Sequence, residues 1–136
     1  MEKRNLGNTG TKVGALGIGA MSFSDFYGPT NTQESHAILK MALDNGIDHI
    51  DTAKVYGMGL SEERIGQFLN TLSPNDRQSF KIATKGGIDR KNFDDKGTVV
   101  FDNSKEFLTE ELNNSLKRLG VDCVELYYVH RREADR

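Results

Sequence analysis

The stretch HIDTAKVYG, residues 49–57, begins with a strand pattern and ends in residues that cannot continue one. Asp51 lies near the end of the predicted strand at 49–53, and Lys54 and Tyr56 follow directly after it. In folds built from parallel strands and helices, reactive side chains collect at the carboxyl ends of the strands. The segments on either side of this stretch therefore decide both the fold and the site.

Alternating strand and helix patterns surround this stretch. KRNL and TKV flank Gly7-Asn8-Thr9-Gly10, and this order predicts a β-hairpin. Apolar runs predict strands at 15–21, 49–53, 81–85 and 124–130. Helices are predicted from Asn31 to Asn45-Gly46, from Ser61 to just before Pro74, and over 104–119.

Capping and periodicity indicate where these helices begin and which face they bury. Asn31 and Glu34 have the spacing of a capping box, and Ser61 is the predicted cap of the second helix. The second helix carries one apolar stripe and the third carries another, which ends at Gly120. The stripe residues are Ile65, Phe68, Leu69 and Leu72, then Leu108, Leu112, Leu116 and Leu119.

This alternation predicts right-handed βαβ units and a parallel sheet, which is an α/β fold. Two architectures suit it, a doubly wound open sheet and a (β/α)₈ barrel. The doubly wound sheet needs a glycine-rich phosphate turn, and residues 17–22, GIGAMS, are the nearest candidate. They lack the third glycine and precede a predicted loop, so we reject the dinucleotide-binding fingerprint.

Composition excludes several classes of protein. The 136 residues suit one domain, and with 36% hydrophobic and 28% charged residues the chain is neither disordered nor membrane-spanning on composition. The formal charge of −2 argues against nucleic acid or an anionic membrane as the main partner. Cys123 is the only cysteine, and no His, Asp or Glu spacing suggests a metal. With no apolar run at the N-terminus, a cytoplasmic setting is expected.

Four polar side chains lie at consecutive predicted strand ends. These are Asp51, Tyr56, Lys85 and His130, and the parallel arrangement places them on one rim. Taken singly, each has a structural explanation: a turn hydrogen bond for Asp51, packing for Tyr56, a solvated charge for Lys85 and a hydrogen-bonded ring for His130. We therefore expect the four side chains to converge on one rim of the sheet.

The four residue types match one reaction, the reduction of a carbonyl by hydride transfer. That reaction needs an acid to protonate the forming alkoxide, and a tyrosine with its ordinary pKa of about 10 is a poor acid near neutral pH. A nearby ammonium stabilises the tyrosinate, so Lys85 would assist Tyr56 while Asp51 holds Lys85 charged and oriented. A neutral His130 would donate a hydrogen bond to the carbonyl oxygen.

Several segments resemble the aldo-keto reductases. They are DTAKVYG (51–57), GLSEERIG (59–66), ATKGG (83–87) and SLKRLGVDCVELYYVHR (115–131), and the likeness runs from about residue 3 to 132. The resemblance implies a (β/α)₈ barrel whose bottom is plugged by the hairpin, and an NADPH-dependent reductase of aldehydes or ketones. It also implies that Asp51, Tyr56, Lys85 and His130 match the catalytic tetrad. Gly19, Ala20 and Met21, together with Asp51, match positions that touch the cofactor.

Length is the main departure from the family. A barrel needs about 250 residues, so residues 1–136 correspond to an N-terminal half, a hairpin with about four strands and three helices. The family's later strands carry the loops that hold the pyrophosphate and the 2′-phosphate, so the truncated chain is expected to be impaired. Substrate identity, the choice between NADPH and NADH, and the oligomeric state stay open.

The branch of the family that fits includes bacterial and fungal reductases and potassium-channel β subunits. A non-catalytic interaction subunit and an inactive truncated product are therefore the alternatives to a reductase. The 86–103 segment is predicted to be a loop, either a lid or a disordered insert. Phe23, Phe26 and Tyr27 are predicted either to wall a substrate pocket or to pack on one another. Lys54 is expected to add a second cation near Tyr56, and Glu125 has no predicted partner.

Overall fold

The chain folds as an N-terminal hairpin followed by alternating strands and helices. A computed structural model describes residues 1–93 and 97–132. The strands are β1 (Lys3–Asn5), β2 (Lys12–Gly14), β3 (Gly17–Gly19), β4 (His49–Asp51), β5 (Lys81–Gly86), β6 (Ile88–Phe93), β7 (Val99–Phe101) and β8 (Leu126–Val129). The helices are α1 (Thr32–Asp44), α2 (Leu60–Leu69), α3 (Pro74–Ser79) and α4 (Lys105–Leu119), with 3₁₀ turns at Ala20–Ser24 and Tyr56–Gly59.

A parallel sheet in the order β3-β4-β5-β8 is the centre of the fold. Gly19 pairs with Asp51, Asp51 with Ala83, and Lys85 with Tyr128, so the carboxyl ends of the four strands reach the same edge. The hairpin of β1 and β2 is antiparallel. The predicted α/β class, the hairpin and the parallel sheet are confirmed.

The predicted N-cap of the first helix and the predicted end of the third helix at Gly120 are confirmed, and Ser104 is an N-cap that the sequence analysis did not name. The Asn31 side chain accepts a hydrogen bond from the Glu34 backbone N–H at 2.9 Å, which satisfies a donor that the first turn of α1 leaves free. Ser104 does the same for the Phe107 N–H of α4. Gly120 ends α4 with φ 67°, the left-handed conformation that glycine adopts readily.

Ser61 is not a helix cap, so that prediction is wrong. Helix α2 begins at Leu60, and its N-cap is Gly59, with φ 106°. The Ser61 hydroxyl is instead buried, where it donates to the Ala20 carbonyl at 2.8 Å and lies 2.8 Å from the Thr52 hydroxyl. Its tertiary partners compete successfully with the local cap. Pro74 likewise begins the additional helix α3, with Ser73 as its N-cap.

Two other boundaries differ from the sequence predictions. The strand predicted at 15–21 is limited to β3, because the chain turns into a 3₁₀ helix at Ala20. The 86–103 segment is not an unstructured loop, since β6 and β7 pair in an antiparallel ribbon with Ile88 opposite Phe101. Residues 94–96 of that segment lie outside the described residues.

The hydrophobic core lies between the parallel sheet and its helices. The predicted stripe of α2 is confirmed, with Ile65, Phe68 and Leu69 buried and Leu72 packed against them. The buried side chains of α4 are Glu111, Ser115 and Leu119, whereas Leu108, Leu112 and Leu116 are half-buried, so the predicted leucine stripe is only partly correct. The remaining core residues are Ala20, Phe23, Leu39, Ile50, Phe80 and Ile82.

Helices α2 and α4 approach each other closely at Gly66. A Cβ on Gly66 would lie 2.1 Å from the Arg118 carbonyl oxygen, so only glycine permits the contact. Glu62, which is fully buried, then bridges α4 and the sheet. It accepts hydrogen bonds from the Arg118 Nε at 2.7 Å and from the Thr84 hydroxyl at 2.6 Å. Both carboxylate oxygens are satisfied, as a buried charge requires.

We expect Arg118→Met to destabilise the chain by about 3 kcal/mol, because it leaves the Glu62 carboxylate buried without its cation. The matched control is Arg4→Met, since Arg4 pairs with Glu2 on the surface at 3.5 Å and surface pairs contribute less than about 1 kcal/mol. Urea denaturation followed by circular dichroism measures both free energies of unfolding. Equal effects of the two substitutions would contradict the role given to Glu62.

Candidate active site

Lys85 is the centre of a polar cluster at the carboxyl edge of the sheet. It is the fifth residue of β5, and its ammonium forms an ion pair with the Asp51 carboxylate. The same ammonium donates to the Thr52 carbonyl at 2.8 Å and to the Tyr56 hydroxyl at 3.3 Å. These three contacts hold the Lys85 ammonium against the Asp51 carboxylate and the Tyr56 hydroxyl.

The turn after β4 directs Tyr56 toward this cation. The Tyr56 N–H donates to the Ala53 carbonyl at 3.0 Å, and a left-handed pair, Gly57 and Met58, follows. A Cβ on Gly57 would lie 2.9 Å from the Cβ atoms of Leu60 and Ser24, so glycine is required there. The Lys85 Nζ lies 5.0 Å from the centre of the Tyr56 ring.

His130 completes the cluster just beyond β8. Its backbone N–H donates to the Gly86 carbonyl at 2.8 Å, which extends the sheet pairing by one residue. The ring stands edge-on to Tyr56, with ring centres 5.8 Å apart and an angle of 88° between planes. Its Nδ1 atom is buried without a hydrogen-bond partner among the described residues.

Burial lowers the pKa of His130 below its ordinary value of 6.5. The neighbouring cations Lys85 and Arg131 lower it further, while the Asp51 carboxylate acts in the opposite direction. The ring is therefore predominantly neutral at neutral pH.

The structure thus brings Asp51, Tyr56, Lys85 and His130 together on one rim, as expected from their strand-end positions. Their catalytic roles stay a prediction.

Two open clefts adjoin this cluster. The first, of about 470 Å³, is lined by residues 17–21 of β3 and the turn after it, with Tyr27, His49, Asp51, Tyr56 and Lys85. The predicted cofactor positions Gly19, Ala20 and Met21 all line this cleft. The second, of about 380 Å³, is lined by Met21, Ser24, Phe26, Val55, Tyr56, Gly57, Met58, Ile88, Arg90, His130 and Arg131.

The three aromatic residues after β3 have different surroundings. Phe23 is buried in the core, so it walls neither cleft. Phe26 and Tyr27 are 65% and 73% exposed, and their rings pack edge-to-face with centres 5.1 Å apart. Tyr27 lines the first cleft and Phe26 the second, so both predicted readings describe part of this loop.

Several contacts near the cluster were not predicted from the sequence. Lys54 forms an ion pair with Glu111 of α4 at 2.8 Å, and both side chains are largely buried. The Glu125 carboxylate accepts from the Ile82 N–H at 2.7 Å. No local pattern signals either pair, because the partners lie 57 and 43 residues apart. The sequence also did not predict the positions of Arg90 and Arg131, which line the second cleft, because exposed arginines occur without a characteristic sequence pattern.

Two further surveys cover only the residues that the structure describes. No group of three His, Cys, Asp or Glu side chains is arranged to hold a metal ion. No helix combines the length and apolar character needed to cross a bilayer.

The sequence profile of the Aldo/keto reductase family matches residues 15–136 of this chain. The chain belongs to the aldo/keto reductase family. The aldo-keto reductase yakc of Schizosaccharomyces pombe, named with NADP(+), is 36% identical over 128 residues, which cover 94% of this chain and 36% of the relative. A probable voltage-gated potassium channel β subunit of Arabidopsis thaliana is 34% identical over 134 residues, or 98% of this chain and 38% of the relative.

Solved structures of the family have the same fold. A holo-form aldo-keto reductase from Bacillus halodurans superposes with a TM-score of 0.82 at 33% identity, covering 99% of this chain and 42% of that one. An aldo-keto reductase from Pseudomonas aeruginosa, described as putative, gives 0.79 at 38% identity, covering 98% and 48%. The chain thus spans less than half the length of these relatives. The predicted fold, an N-terminal part of a (β/α)₈ barrel, is confirmed.

We expect the His130 imidazole of this aldo/keto reductase chain to titrate below pH 6.5, as measured by NMR. Arg131→Gln should raise its pKa, because it removes one of the cations that disfavour the imidazolium. Arg132→Gln, a control with the same change in net charge, should have a smaller effect.

The lowered pKa of His130 also makes the stability of the fold depend on pH. Since the folded state holds the proton less tightly than the unfolded state, His130 costs nothing above pH 6.5 and destabilises the fold as the pH falls from 6.5 toward its lowered pKa. A His130 pKa at or above 6.5 would contradict this expectation.

Proposed function

We propose that residues 1–136 form the N-terminal part of a reductase that uses NADPH to convert aldehydes or ketones to alcohols. The observation that carries the proposal is the contact of one ammonium, that of Lys85, with both the Asp51 carboxylate and the Tyr56 hydroxyl. His130 stands beside the same phenol. Family membership supports an oxidoreductase, and this geometry supports the assignment of roles.

Tyr56 is the proposed general acid. A carbonyl carbon that accepts a hydride leaves an alkoxide, and the Tyr56 hydroxyl transfers its proton to that oxygen. The negative charge then lies on the tyrosinate oxygen, 3.3 Å from the Lys85 ammonium, which stabilises it. Asp51 keeps Lys85 charged and in place through the ion pair.

His130 is the proposed orienting residue. A neutral imidazole can donate one hydrogen bond to a substrate carbonyl oxygen without competing with Tyr56 for the role of acid. Burial and the adjacent cations hold the His130 pKa low, which keeps the ring neutral. The ring lies edge-on to Tyr56, and both side chains line the second cleft.

The first cleft is the proposed position of the nicotinamide end of the cofactor, which supplies the hydride when bound. The residues present fit such a group. A Cβ on Gly19 would meet no atom within 4 Å, so the glycine leaves open space at the cleft wall. Gly19, Ala20, Met21 and Asp51 would hold the cofactor there.

The reductase is the function we propose, and a non-catalytic interaction subunit, which can keep the same four residues, is the alternative. We place the reaction in the cytoplasm, because Cys123 is an exposed free cysteine and no disulfide is formed.

Tyr56→Phe tests the general acid. In a barrel completed with the C-terminal part of the Bacillus halodurans relative, turnover should fall by about 10² to 10⁴, the usual contribution of general acid catalysis. NADPH affinity should change little, because the ring is kept. Tyr128→Phe is the control, since Tyr128 is exposed on β8 and lines neither cleft. Steady-state rates within about threefold of the parent for Tyr56→Phe would show that another group is the acid.

The polypeptide of residues 1–136 by itself should bind NADPH far more weakly than a completed barrel and show no appreciable turnover. Within residues 1–93 and 97–132, Lys85 is the only Lys or Arg that lines the first cleft, and Asp51 already neutralises it, so these residues offer the cofactor phosphates no free cation there. A fluorescence titration with NADPH measures the affinity. Micromolar binding together with reduction of a simple aldehyde would contradict the expectation.

A further inference from the structure

The second cleft combines the proposed acid with two arginines that the reaction itself does not require. Tyr56 and His130 line it together with Arg90 of β6 and Arg131, which follows His130 directly. Its volume of about 380 Å³ lies within the range of small-molecule sites. A carbonyl that reaches Tyr56 from this side therefore brings the rest of its molecule close to both arginines.

The charge in this cleft is unbalanced. Among the described residues, none of those that line the cleft is acidic. None of the ion pairs in residues 1–93 and 97–132 involves Arg90 or Arg131. The carboxylate next to Arg90 in sequence, Asp89, is buried and accepts from the Lys91 N–H and the Asn92 amide instead. This positive charge stands out in a chain whose formal net charge is −2.

The other walls are apolar. Met21, Phe26, Val55, Met58 and Ile88 line the same cleft, and Phe26 and Met58 are exposed. Apolar walls with a few convergent polar groups are typical of sites for small organic molecules. Arg131 is also close enough to His130 to lower the pKa of that ring, which places its charge beside the proposed carbonyl position.

We propose that the second cleft selects carbonyl substrates that carry an anionic group, a carboxylate or a phosphate, and that Arg90 and Arg131 bind that group. The carbonyl would lie at Tyr56 and His130, the apolar body against Met21, Phe26 and Met58, and the anion at the arginines. Planar guanidinium groups match both kinds of anion through paired N–H donors. This proposal rests on the proposed function, because it takes Tyr56 and His130 as the position of the carbonyl.

The test measures binding to the 136-residue chain itself, so it does not depend on turnover. The probes are three ketones of one framework: 4-acetylbenzoate, 4-acetylphenyl phosphate and the neutral 4-acetylbenzamide. We follow each titration by NMR of the backbone amides and the arginine Nε–H groups. At least one anionic ketone should bind about tenfold or more tightly than the amide, the difference that a charge-assisted hydrogen bond makes. The anion that binds more tightly shows whether the cleft selects a carboxylate or a phosphate.

Matched variants locate the anion. Arg90→Gln and Arg131→Gln should each weaken binding of the favoured anion by about five- to tenfold and leave the amide unchanged. Arg132→Gln removes the same charge from a neighbouring exposed residue outside the cleft, and it should change affinity by less than about twofold. Because both arginines are exposed, none of the variants is expected to unfold the chain.

Three results would overturn the proposal. The first is equal affinity for the anionic ketones and the amide. The second is a loss of anion affinity in Arg132→Gln equal to that in Arg90→Gln and Arg131→Gln. The third is NMR chemical-shift changes that map to the first cleft, or that fail to saturate for every probe. Kinetics of the same variants in a completed barrel distinguish failure of the anion site from failure of the proposed function. Loss of turnover in Tyr56→Phe tests the acid, whereas a rise in KM confined to the anionic ketone in Arg90→Gln tests the anion site.

Discussion

The parallel register of the central sheet is the constraint on which the site depends. Pairing of Gly19 with Asp51 and of Asp51 with Ala83 brings the ends of three strands to the same edge, and Lys85 extends β5 two residues beyond. A slip of one residue would turn Asp51 or Lys85 to the opposite face of the sheet. The ion pair between them therefore exists only in this register, and it in turn positions the ammonium beneath Tyr56.

A layer of buried polar contacts behind the sheet keeps that register. Ser61 connects the Thr52 hydroxyl to the Ala20 carbonyl, which ties β4 to the turn after β3. The adjacent Glu62 connects Thr84 of β5 to Arg118 of α4. Two consecutive residues of α2 thus support both sides of the cluster from outside the cleft. Because each buried group has a partner, the layer specifies one arrangement instead of weakening the core.

The sequence was sufficient for features that local patterns determine and insufficient for those that distant partners determine. Strand-end positions predicted where Asp51, Lys85 and His130 lie, since alternation of strands and helices requires a common edge. The cap at Ser61 was wrong because a tertiary hydrogen bond outweighs a local one. The β6–β7 ribbon was missed because β6, Ile88–Phe93, carries four consecutive polar residues and no alternation of apolar and polar ones. The place of Arg90 in the second cleft, which His130 also lines, follows only from the structure of the ribbon.

The two clefts meet at Tyr56. Met21 and Tyr56 line both of them, whereas the glycines of β3 line only the first and the two arginines only the second. If the proposed cofactor and substrate occupy the first and second clefts, their reacting ends would meet where the clefts join, with the Tyr56 hydroxyl beside them. Orientation of this kind lowers a barrier because the reacting groups need no further search for each other. The left-handed turn at Gly57, which follows Tyr56 directly and lines the second cleft, holds the phenol at this boundary.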